Sequence, residues 1–142
     1  MHTRVWVPSD EEIIPTPAGE FDSCLLIRMT MTRSPEDLKS DSREAETNKI
    51  WAGEWYWWFA RGVGPVAFRH EAETGITAQT LLSRFECPEE REEWFPLVVG
   101  TRWEWQPAEP PDGIEIHMVN RLTHIAEDGT FYLASTTLAE RT

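Results

Sequence analysis

Short runs rich in β-branched and aromatic residues, each broken by Gly, Pro or Asp, follow one another from Val5 to Leu138. Apolar residues at i, i+3, i+4, i+7 are nowhere sustained, which argues against a helical core and for a β-sheet. Ser23–Thr32 (SCLLIRMTMT) is the firmest strand. It sets Leu25, Ile27, Met29 and Met31 on one face and Cys24, Leu26, Arg28 and Thr30 on the other. Val5–Val7, Glu54–Ala60, Pro65–His70, Ile76–Glu86, Thr101–Gln106, Ile114–Ala126 and Thr130–Leu138 bring the count to about eight strands. Ile76–Glu86 also holds Ala, Gln and Leu that a helix would accept. Turns fall at Ala18-Gly19, Arg61–Gly64, Glu71–Gly75 and Glu127-Asp128-Gly129, the last a strong hairpin signal.

Two stretches lack this pattern. Ser34–Asn48 (SPEDLKSDSREAETN) has one sizeable apolar residue, Leu38. It reads as a mobile loop at 34–48 with at most a helical turn after Ser34-Pro35. Pro88–Glu93 (PEEREE) reads as one helical turn, with Pro early and acids near the positive end of the dipole. The expected fold class is mainly β: a curved antiparallel sheet, a half-barrel or a β-sandwich, with little helix. At 142 residues the chain is a single domain, 1–142, by size.

Glu54–Phe68 (EWYWWFARGVGPVAF) concentrates the aromatics. Strand alternation sends Trp55, Trp57 and Phe59 one way and Tyr56, Trp58 and Ala60 the other. Aromatics on both faces mean that neither face is simply solvated. One lines the core; the other is covered by a loop, a helix, a second chain or a ligand. Trp57 or Trp58 is therefore expected to be more than about four-fifths buried. The candidate ligand-binding residues are Trp55, Trp57 and Phe59, with Trp103 and Trp105 from the strand of Thr101–Gln106. In GVGP the glycines supply the positive φ of a turn, and neither a helix nor GK[ST] follows to make a phosphate loop.

Three segments carry a resemblance. Trp55–His70 (WYWWFARGVGPVAFRH) resembles the WFAxGVGxVxxxH segment of a loosely defined family of uncharacterised bacterial β-rich proteins. Thr16–Cys24 (TPAGEFDSC) is similar to its TPAGxFxxC segment, and Phe95–Trp105 (FPLVVGTRWEW) to its FPLxxGxxWxY opening. The FPL segment usually comes first in that family; here it comes last. The resemblance implies a curved sheet or half-barrel, comparable in build to lipoprotein-carrier-like folds, with no assigned activity. The rotated order implies two half-units, 1–87 and 94–142, whose open edges need partners within the chain or in a second copy.

Charge and motifs narrow the function classes. With 13 Lys and Arg against 25 Asp and Glu, the net charge of −12 argues against a nucleic-acid surface. No apolar run reaches the roughly 18 residues of a membrane span. The N-terminal segment lacks a secretory layout, so the expected place is cytoplasmic, or exported if a signal has been removed. Cys24 and Cys87 read as reduced, partly buried thiols. His117 and His124, seven apart on one strand, fall on opposite faces unless the strand bulges. His70 reads as an edge or half-buried, hydrogen-bonded histidine. No metal, cofactor or catalytic residue is expected. Two functions remain: a non-catalytic module binding an apolar or sugar-like ligand on an aromatic concave face, or a structural, protein-interaction domain acting as a homodimer.

Overall fold

A computed structural model describes residues 1–142. The fold is mainly β: β1 (His2–Thr16), β2 (Gly19–Thr32), β3 (Gly53–Ala60), β4 (Gly64–Ala72), β5 (Thr77–Glu86), β6 (Arg102–Pro107), β7 (Ile114–Ile125) and β8 (Phe131–Arg141). They form one eight-stranded antiparallel sheet in simple sequential order. Of the alternatives, the single open sheet is the one formed. No pairing joins β1 to β8 and no second sheet stacks on the first, so the sheet is open and single-layered, neither a closed barrel nor a sandwich. Ile76–Glu86 resolves as strand because Leu81 and Leu82 pair with Gln106 and Trp105 and are held between two neighbours.

β1 is much longer than Val5–Val7. It follows β2 through three register irregularities between Trp6 and Ile14, which absorb Pro8 and the acidic Asp10–Glu12. The closed end of this hairpin reaches back across the sheet, where the Ala18 N–H donates to the Leu82 carbonyl at 3.1 Å. Ile14 and Phe21 thereby join a cluster built on Cys24, Leu26, Trp58, Ala60, Ala67 and Leu82. Directly paired residues share a face, so Leu26, Trp58, Ala67 and Leu81 lie together on what is here the Trp58 face. Trp58 is only 8% exposed, which meets the expectation of one buried indole.

Burial keeps the Cys24 thiol protonated, pushing its pKa up to about 11, with the Asp22 and Glu12 carboxylates adding to the effect. Cys24 and Cys87 are both free. Stability from keeping this thiol neutral is complete below its ordinary value and is lost as the pH rises toward 11. At pH 8 a disulfide reagent is expected to titrate the half-buried Cys87 in the native protein, and Cys24 only after urea is added. Equal native rates for the two thiols would contradict the burial.

Residues 34–48 hold the helical turn expected after Ser34-Pro35 and the start of a second helix that was not expected. They form α1 (Pro35–Lys39) and the start of α2 (Arg43–Trp51). Ser34 caps α1 in a reciprocal box with Asp37, and Ser42 caps α2 through Ala45 N–H. The only buried residue of the two helices is Ala45, so capping and side-chain bonds hold them rather than a core. Asn48 Nδ2 donates to both Asp37 oxygens at 3.1 Å. Arg33 Nε donates to Glu73 at 3.1 Å and ties the segment to the β4–β5 turn. The Asn48 hydrogen bond, with help from Ser34, holds the Asp37 carboxyl below its ordinary range. That support is present above pH 3.8 and fades as the pH falls through the lowered value. Ser42→Ala is expected to cost α2 about 1 kcal/mol and to speed amide exchange there while sparing β3. Uniform exchange through both elements would tie α2 to the sheet more firmly than its contacts imply.

Residues 88–93 are not the expected helical turn: they run as irregular loop. The Gly62 N–H donates to the Glu93 carbonyl at 2.8 Å, which holds this stretch open against the β3–β4 turn.

Candidate functional site: an aromatic sheet face covered at its ends

Trp55, Trp57, Phe59, Trp103 and Trp105 all point to the face opposite Trp58, here the Trp57 face. The register carries this parity across the sheet through Trp57 to Phe68 to Thr80, and through Leu82 to Trp105. The rings form a chain: Trp51 stacks on Trp55 at 5.5 Å, Trp55 lies 6.3 Å from Trp57, Trp57 stacks on Phe68 at 4.9 Å, and Phe68 meets Trp105 edge-on at 5.6 Å.

Three of the five candidates are structural. Trp55 is closed over by the end of α2: its Nε1 donates to the Trp51 carbonyl at 2.9 Å and its ring stacks on His70 at 3.8 Å. His70 is half-buried and bonded, as expected, with Nε2 at 3.2 Å from the Ala52 carbonyl. Trp103, 2% exposed, donates to the Val63 carbonyl at 2.6 Å and sits beneath Phe95. Trp105 donates to Asn120 Oδ1 at 3.0 Å. With their N–H groups satisfied internally, these indoles have no polar handle left for a ligand. Trp57 and Phe59 are half-buried and differ from them. Their register partners Ile27 and Leu25, with Met29 and Met31 further along β2, are half-buried as well, and Val5 on β1 is exposed. The open middle of the face is this apolar row. The Leu25–Met31 alternation was legible in the sequence; that it would stay uncovered was not.

The Trp58 face carries a second arrangement. The Arg28 guanidinium lies 5.1 Å from the Trp6 ring and 5.2 Å from Tyr56, and Arg69 lies 4.3 Å from Tyr56 and 5.8 Å from Trp58. Glu54 accepts from Arg28 Nε at 3.2 Å and from Thr30 Oγ1 at 2.9 Å. Both guanidinium groups are thus engaged by rings and by carboxylates, Arg28 with Glu54 and Arg69 with Glu71.

The largest surface pocket, about 980 Å³, lies at the β3–β4 turn and is lined by Arg61, Phe85, Cys87 and the acidic 89–93 run. Its Arg91 is already paired with Glu89 and Glu93 at 3.1 Å. A smaller pocket of about 370 Å³ lies between α2 and β4–β5, lined by Ile50, His70, Ala72, Ile76, Ala78 and the polar Glu46, Lys49 and Thr74. Neither is lined by any of the five candidate aromatics.

The exception foreseen for His117 and His124 applies, because their strand bulges between them. A register shift between Leu122 and His124 makes them partners of Leu138 and Tyr132, six apart on β8, so both project to the same face. Six strand residues still put about 20 Å between them, too far to share an ion.

The resemblance segments, although far apart in sequence, meet at one end of the sheet. Val63 accepts the Trp103 indole bond, Pro96 lies beside Gly64, and Glu20–Ser23 and Ala60-Arg61 line one pocket. The chain matches no family model, and no significant match to it is found among curated proteins or solved structures.

Proposed function

We propose that the chain is a non-catalytic protein-interaction domain that works as a homodimer. The observation behind this is surface area. The chain exposes 9258 Å², whereas a folded monomer of 16.5 kDa exposes about 7,600 Å². The excess, about 1,700 Å², is larger than the roughly 800 Å² that one partner contributes to a standard interface. A small ligand covers a few hundred Å² at most, so area favours a macromolecule over an apolar or sugar-like molecule. Exposed Phe131, Tyr132, Leu133 and Leu138 on the outer strand β8 add apolar surface that a second chain could cover.

Sedimentation over a wide concentration range is expected to give twice 16.5 kDa at micromolar protein. A monomer persisting at high micromolar concentration would sink the proposal. The 370 Å³ pocket beside the Trp55–His70 stack favours a second reading, a small apolar ligand bound there. Quenching of tryptophan fluorescence by an apolar dye, lost in Ile76→Asp, is the outcome that supports it; no quenching at saturating dye excludes it.

A further inference from the structure

The two outer strands of the sheet are not equivalent. β1 is defended as an edge: Pro8 and Pro15 remove donors, three irregularities break its line, and Asp10, Glu11 and Glu12 would repel an incoming strand. β8 has none of these defences over FYLASTTLAER, and every one of its residues is exposed. Its only charges, Glu140 and Arg141, lie at its end.

The hydrogen-bond phase of β8 is fixed at both ends. The Thr142 N–H donates to the Gly113 carbonyl at 3.0 Å, and the Ala126 N–H to the Thr130 carbonyl at 2.7 Å. Even-numbered residues of β8 therefore bond to β7, and the backbone groups of the odd ones, Phe131 to Arg141, face outward.

We propose that β8 pairs with β8 of a second copy, antiparallel about a two-fold axis at Thr136, to give one continuous sheet across the dimer. This rests on the reading that the chain works as a homodimer and specifies how. The register centred on Thr136 pairs the whole strand and matches outward-facing residues with outward-facing ones. Leu133 falls opposite Ala139 of the other copy and Ala134 opposite Leu138, large against small on both faces. Phe131 meets Arg141 and Tyr132 meets Glu140, so no like charges oppose. About a dozen backbone hydrogen bonds form, and Tyr132, Leu133 and Leu138, each at least 42% exposed, gain cover.

At a pair that makes no inter-strand backbone bond, the two Thr136 Cα atoms would lie about 4.5 Å apart, within disulfide reach. In a Cys87→Ser background, Thr136→Cys is expected to convert to a reducible covalent dimer under mild oxidation. Ser135→Cys and Thr137→Cys are expected to crosslink when mixed and not singly. Thr136→Lys, which sets two ammonium groups against each other without touching the β7 ladder, is expected to halve the sedimenting mass at micromolar protein. Circular dichroism of this variant should match the parent. If the parent is itself a monomer, the homodimer reading and this geometry fall together. If the parent is a dimer but Thr136→Cys stays unlinked or Thr136→Lys stays dimeric, this register is overturned and the homodimer reading survives.

Discussion

Trp103→Ala is expected to cost about 3–5 kcal/mol of unfolding free energy, a large part of what a domain of this size possesses. Trp103 is 2% exposed and touches Phe85 and Phe95, and its N–H holds the β3–β4 turn through the Val63 carbonyl. Removing the ring opens a cavity and orphans that carbonyl, and the two losses add. Trp58→Ala should fall in the same range, since Trp58 is 8% exposed within the main cluster. Trp57→Ala should cost distinctly less, because Trp57 keeps water on part of its ring. Urea unfolding at one fixed protein concentration checks the order, since dimerisation would otherwise enter the comparison. Equal losses at Trp57 and Trp103 would mean that the Trp57 face is covered along its whole length.

Strand identity was legible because it depends on neighbours two residues away, and alternation in SCLLIRMTMT and EWYWWFA survives any tertiary context. Cover depends on distant segments and was not. Nothing near Trp103 announces that Phe95 will lie over it, or near Trp55 that α2 will end there. The five site candidates lie on one face, and for Trp55, Trp103 and Trp105 that placement reflects packing, as their internal indole bonds show.

The misreadings share a cause. Ser34–Asn48 was judged by its lack of apolar residues, whereas its helices depend on polar caps; Ser34 and Asp37, three apart after a strand, were the signal available. In 88–93, proline and acids suggested a helix start, but the stretch runs as irregular loop tied at Glu93 to the Gly62 N–H, far earlier in the chain. His117 and His124 were placed by counting along an unbulged strand, and one irregularity in β7 reversed the count.

The second large effect is expected at Gly62. Its φ is +74°, and a Cβ built there would collide with the Arg91 carbonyl oxygen, well inside van der Waals contact. Its N–H is bonded to the Glu93 carbonyl at 2.8 Å, so neither the turn nor the 88–93 loop can retreat without losing that bond. A left-handed conformation alone costs a non-glycine residue about 1–2 kcal/mol. Adding the clash brings Gly62→Ala to roughly 3 kcal/mol or more. Gly129, φ +88°, supplies the control, because a Cβ there meets nothing within 4 Å. Gly129→Ala should therefore show the conformational cost by itself, and the difference between the two variants isolates the contact between turn and loop. The same clash should free residues 88–93, so protease cleavage there is expected to accelerate in Gly62→Ala and stay at the parent rate in Gly129→Ala. Matching unfolding energies for the two variants would show that the loop yields to a methyl group, and that the glycine at position 62 serves the turn alone.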